Sequence, residues 1–112
     1  MKPEELARRL SGDAFKKMRD NLLAKVLLTV LGKSQQRTPV RTGTLRRSET
    51  TRTEGNRGFV GTNVKYAPFV HEGTKFMAAR PFFVEGIQDS RGEVERLAQR
   101  AGDAFFSEVA GG

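Results

Sequence analysis

Residues 48–62 read Ser48-Glu49-Thr50-Thr51-Arg52-Thr53-Glu54-Gly55-Asn56-Arg57-Gly58-Phe59-Val60-Gly61-Thr62, and the class of the fold turns on them. The threonine-rich stretch Ser48–Thr53 favours an extended strand. Glu54-Gly55-Asn56-Arg57-Gly58 supplies turn residues, and Phe59-Val60-Gly61-Thr62 begins a partner strand. The first strand has almost no apolar side. The pair is therefore expected as an exposed arm or sheet edge, open to pairing with a neighbouring chain, and not as a buried centre.

Outward from this hairpin the pattern turns helical on both sides. Pro3 suits a first helical turn, with Glu4 and Glu5 at the positive end of the dipole and Leu6 and Leu10 on one face. Ser11-Gly12-Asp13 reads as a break, Ser11 or Asp13 being able to cap a second, longer helix. On that helix Ala14, Met18, Leu22, Val26 and Val30 recur every four residues, flanked by Phe15, Leu23, Leu27 and Leu31. It should end near Thr38, because Pro39 disfavours helical geometry just before it. Pro81 is placed to start a last helix, on which Val84, Ile87, Val94, Leu97, Ala98, Ala101, Phe105 and Val109 follow helical spacing. Gly86, Gly92 and Gly102 each cost that helix about 1 kcal/mol, so a bend or break is expected near Ser90-Arg91-Gly92. The expected fold is α+β: one domain over residues 1–112, a long N-terminal helix and a C-terminal helix packed on a small antiparallel β-sheet with an extended polar hairpin.

Composition bounds the chemistry. Hydrophobic residues make up 37% of the chain, below the roughly 45% or more of an average globular protein. A thin core is expected, with partner subunits contributing stability. There is no cysteine, which excludes a disulfide framework, a thiolate metal site and a cysteine nucleophile. No long apolar stretch follows the N-terminus, so no signal peptide is expected. Leu22–Leu31 is interrupted by Lys25 and is far short of a membrane span, so neither is a membrane contact. His71 is the only histidine, and beside Glu72 it reads as a partly exposed structural residue. The stretch Gly55–Gly61 lacks the Lys-Ser/Thr ending of a phosphate loop. No enzyme is expected, and no catalytic, cofactor-binding or metal-ligating set.

Charge is the stronger signal, at +7 overall. Between Lys33 and Gly58 lie Lys33, Arg37, Arg41, Arg46, Arg47, Arg52 and Arg57 against only Glu49 and Glu54. Arginine dominates, as suits phosphate or carboxylate recognition. No aromatic residue interleaves to make a base-stacking platform, and no helix-turn-helix or zinc-finger pattern accompanies the stretch. Either duplex DNA bound by charge alone or an acidic protein surface fits it.

Three segments carry a resemblance. They are Thr38-Pro39-Val40-Arg41-Thr42-Gly43-Thr44-Leu45-Arg46-Arg47-Ser48, then Val60-Gly61-Thr62-Asn63-Val64-Lys65-Tyr66-Ala67-Pro68-Phe69-Val70-His71-Glu72-Gly73-Thr74, then Met77-Ala78-Ala79-Arg80-Pro81-Phe82. In this order and spacing the chain resembles the small tail-component proteins (neck, tail-completion, head–tail joining) of long-tailed bacteriophages and prophages. It departs from their pattern at His71-Glu72, where many relatives carry a Glu-aromatic pair. The matching residues Pro39, Thr42, Gly43, Leu45, Ser48, Gly61, Tyr66, Ala67, Gly73, Thr74, Arg80, Pro81 and Phe82 read as structural. Thr42 or Thr44 can cap a short turn, Gly43 permits a sharp change of direction, and Leu45 anchors the turn to the core. Tyr66, Phe69 and Val70 suggest a short helix packed under the sheet, begun by Pro68 and ended by Gly73. Phe82 or Phe83 should pack inward.

The resemblance implies a structural virion protein at the head–tail junction or the top of the tail tube, assembled as a homo-oligomeric ring in the bacterial host cytoplasm. Its implied partners are itself, connector or head-completion proteins and tail tube or tail terminator proteins, with non-specific contact to packaged DNA as an option. The implied interface or DNA-channel candidates are Arg41, Arg46, Arg47, Arg52, Arg57, Phe76 and Met77. The alternative is a free, non-specific basic nucleic-acid-binding protein.

Overall fold

The computed structural model describes residues 2–5, 8, 12–39, 43–75 and 78–111, with side chains through residue 107. Helix α1 spans Asp13–Arg37, the short helix α2 Thr44–Ser48, strands β1 and β2 Thr50–Glu54 and Arg57–Gly61, helix α3 Ala67–Glu72, and helix α4 Phe82–Gly111. The architecture is α+β, as the periodicity predicts. Arg37 at the end of α1 binds Glu85 and Asp89 at the start of α4, while Phe15 near the start of α1 meets Phe105 near the end of α4 edge-on at 5.7 Å. The two long helices therefore run antiparallel. They set the shape, 62 × 23 × 21 Å, since thirty helical residues alone reach about 45 Å. No helix among the described residues is long and apolar enough to cross a membrane.

The helices meet through small residues. Leu27, Val30 and Ser34 are the buried positions of α1, and their spacing of three and four puts them on one stripe. Ser34 faces Gly86, where an added Cβ would sit 2.7 Å from the Ser34 Cα and backbone nitrogen. One turn further, Ser90 is 1% exposed and turns its hydroxyl back to the Ile87 carbonyl at 2.9 Å. Glycine at 86 thus permits backbone-to-backbone packing, which offsets its poor helix propensity. This is why the break expected near Ser90-Arg91-Gly92 does not occur: α4 continues without interruption to Gly111.

The second packing centre lies beside this crossing. Leu45, Ala67 and Phe82 are buried together, with Val64, Val70 and Phe83 half-buried around them. Burial of a phenylalanine such as Phe82 contributes roughly 1.5–3 kcal/mol by area. The hairpin pairs Thr50 with Gly61 through Glu54 with Arg57. Its two-residue turn, Gly55-Asn56, has Gly55 at φ +59°, the glycine-first pattern of tight hairpins. On the inner face Gly58 lies against the Leu23 and Leu27 side chains of α1, and Val60 is half-buried. Every residue from Thr50 to Phe59 is otherwise exposed.

Local details correct several expectations. The residue before α1 is Gly12, with no side-chain cap, and Asp13 is the first helical residue, where its charge suits the dipole. Ser11, Leu6 and Leu10 lie outside the described residues, as does Val109 as a side chain. Likewise α2 is preceded by Gly43 at φ +74° with no side-chain cap, so Thr44 does not cap it, and Thr42 is outside the described residues. Helix α3 has Pro68 in its first turn and ends at Gly73, φ +81°. Its buried side is not the one expected: Tyr66 and Phe69 are 43% and 60% exposed, while Ala67 and Val70 pack on Phe82. The helix lies against the start of α4 because Ala67 and Val70, three residues apart, share the face that Phe82 covers.

Candidate assembly surface

The three segments that carry the resemblance converge in space. Leu45 from the first, Ala67 from the second and Phe82 from the third form the buried cluster. Polar bonds tie the segments as well. Ser48 Oγ donates to the Leu45 carbonyl at 2.6 Å and lies 2.5 Å from Thr62 Oγ1. Since the one Ser48 hydrogen goes to Leu45, Thr62 supplies the other, and Thr62 Oγ1 accepts the Val64 N–H in turn. The Arg80 N–H reaches the Val70 carbonyl at 2.9 Å. Pro39 and Pro81 are half-buried, Gly61 closes β2, and Thr74 and the Arg80 side chain are exposed. Most of these residues thus act on the fold.

A buried carboxylate holds the first segment to α1. Glu49, 3% exposed, accepts a hydrogen bond from Ser34 Oγ at 2.5 Å and lies 2.5 Å from Thr38 Oγ1, whose one hydrogen it shares with the Ser34 carbonyl at 2.8 Å. Beside it the Arg46 guanidinium donates to the Thr38 carbonyl at 3.1 Å, and Gln35 Nε2 donates to the Arg46 carbonyl at 3.2 Å. A carboxylate taken from water needs such donors, because an unmet buried acceptor costs about 1–3 kcal/mol or more. Sequence reading passed over this centre. Its signal was present: Ser34 falls on the stripe of Leu27 and Val30, a polar residue where an apolar one would be the default.

The described arginines differ in their surroundings. Arg37 is spent within the chain, forking onto Asp89 through Nε at 2.6 Å and Nη2 at 3.0 Å and onto Glu85 through Nη1 at 2.9 Å. The Arg37 hydrogen bonds and charge hold the Asp89 carboxyl below its ordinary value, against a smaller opposing effect of burial. Reciprocally, Asp89 raises the Arg37 guanidinium further. Arg46 is half-buried with Nε fully enclosed and unpartnered. The Arg47 guanidinium lies against Gly43. Arg52 pairs with Glu54 at 2.7 Å and covers the Phe59 ring at 4.8 Å. Arg57 is exposed, opposite Glu54. Arg41, Phe76 and Met77 lie outside the described residues.

Among the described residues of the expected surface, the hairpin stands exposed. Its outer face carries Arg52, Glu54, Arg57 and Phe59, and in a two-stranded sheet each strand keeps one edge of unpaired backbone groups. His71 belongs to the fold: its ring packs at 5.2 Å on Phe82 and 5.9 Å on Phe83, and Nδ1 lies 2.9 Å from Glu72. Among the described residues no group of three or more acidic or histidine side chains is arranged to hold a metal ion.

No protein-family model, curated protein or solved structure matches the chain.

Proposed function

We propose that this chain is a structural virion protein of a long-tailed phage or prophage, a ring-forming subunit at the head–tail junction or the upper end of the tail. The observation that carries the reading is the convergence of the three resembling segments on Leu45, Ala67 and Phe82. Residues that resemble a family's pattern and also build one core centre are those a shared fold would retain. The free hairpin and the sparse core fit a subunit stabilised by its neighbours in closed cyclic symmetry. On this reading the hairpin pairs with the next subunit, and connector or tail tube proteins contact the ring. The role is assembly, without a catalytic step.

The alternative, a free non-specific nucleic-acid binder, draws on the +7 charge. Intrachain pairing weakens it, since Arg37, Arg46 and Arg52 already have partners within the chain. Solution mass by light scattering, across protein concentration and salt and with or without duplex DNA, separates the two. A defined ring, alone or with an added connector or tail protein, supports the junction role. A permanent monomer that coats DNA with steep salt dependence supports the alternative.

A further inference from the structure

On one flank of the helix pair, away from the hairpin, α1 and α4 leave a groove of about 580 Å³. Its floor is Met18 and Leu22 from α1 and Leu97 and Phe105 from α4. Its rim is Lys17, Lys25 and Arg100, all exposed, and among the described residues no carboxylate lines it. The apolar strip continues past the groove. Leu28, 64% exposed, follows Lys25 by three residues and Asn21 by seven, and so lies on the same flank of α1.

We propose that this groove is the docking site for an acidic amphipathic helix of a partner protein, about three turns long. Length comes from the lining, which runs along α1 from Ala14 to Lys25, about 16 Å at 1.5 Å per residue. Architecture supplies the geometry. Two helices packed side by side present a trough into which a third settles at the usual 8–10 Å axial separation, its leucine-type residues on the floor. Charge selects the occupant. Three cations around an apolar floor favour a helix with glutamates or aspartates flanking its apolar stripe, and they repel a second copy of this basic chain. The site stands apart from the hairpin, so it does not depend on ring formation.

The test is an NMR titration of the full isotope-labelled chain with a designed helical peptide of about fourteen residues. The peptide carries leucines at three- and four-residue spacing, flanked by glutamates. Shifts confined to residues 14–28 and 97–105 are expected, weakening with salt. The same peptide with lysines for glutamates should bind at least about tenfold more weakly. The triple variant Lys17→Glu, Lys25→Glu, Arg100→Glu should keep the helical circular dichroism of the parent and reverse the preference between the two peptides. The proposal is overturned by any of four results: no shift at about 1 mM acidic peptide, equal binding of the basic peptide, self-association protecting the same residues, or stronger protection of the groove by anionic lipid vesicles than by the peptide.

Discussion

The helix crossing and the β-hairpin are neighbours along the chain, Glu49 leading directly into β1, yet they are built on opposite terms. At and beside the crossing, Ser34, Thr38, Glu49, Phe82 and Ser90 are each at most 3% exposed, and the Gly86 backbone abuts that of Ser34. In the hairpin, all ten residues from Thr50 to Phe59 face solvent. A two-stranded sheet of this kind is marginal by itself. The difference teaches where each kind of information resides. The crossing specifies the fold and tolerates little, whereas the hairpin adds little to the monomer and leaves its edges and outer face available to another chain.

Mutations graded across this boundary sharpen the contrast or break it. Phe82→Ala should be the most damaging, costing about 3–5 kcal/mol in chemical denaturation, because it empties a fully buried site shared by three segments. Glu49→Ala leaves the buried Ser34 hydroxyl without its acceptor, while the Thr38 hydroxyl keeps the Ser34 carbonyl at 2.8 Å, and should cost about 1–3 kcal/mol. Gly86→Ala drives a methyl into the α1 backbone. The strain of about 1–3 kcal/mol exceeds the gain in helix propensity, so the thermal midpoint should fall, whereas a rise would show that the helices do not meet there. On the other side, Arg52→Ala with Phe59→Ala should shift monomer stability by no more than about 1 kcal/mol while lowering any ring population seen by light scattering. A large loss of monomer stability would break the comparison.

The smallest effect is a matter of pH. Arg37 lowers Asp89 below its ordinary 3.8, so the unfolded chain takes up that proton first as pH falls. The stabilisation is complete well above pH 3.8 and is lost as pH drops through the lower, folded value. Asp89→Asn should therefore flatten the decline in thermal midpoint below about pH 4. Since both side chains are exposed, added salt should shrink the difference.

Much of the architecture was legible because periodicity reports it directly. The four-residue recurrence from Ala14 to Val30 and the stop at Thr38-Pro39 gave α1, and the turn residues Glu54–Gly58 gave the hairpin, although the turn itself is only Gly55-Asn56 and β2 begins at Arg57. Legibility failed where small or polar residues do tertiary work. Gly86 read as a cost to the helix because its partner, Ser34, is 52 positions away, and propensity scales count only the local cost. Glu49 read as one charge among many for the same reason, its donors lying on another helix. Tyr66 and Phe69 read as core by residue type, but the single buried face of α3 was taken by Ala67 and Val70. The arginine stretch read as one run of charge, whereas its described members sit on α1, α2 and the hairpin, and Arg37, Arg46 and Arg52 have partners within the chain that local sequence does not report.

The long antiparallel pair also governs how the molecule moves through a solvent. Its radius of gyration is 18.2 Å, whereas a globule of this length would have about 13 Å. On the same scaling 18.2 Å belongs to a globule of about 260 residues. A lone subunit will therefore drag more than a sphere of its mass, leaving a sizing column early and tumbling slowly about its short axes. An elution volume calibrated on spherical standards would overstate the mass of the monomer.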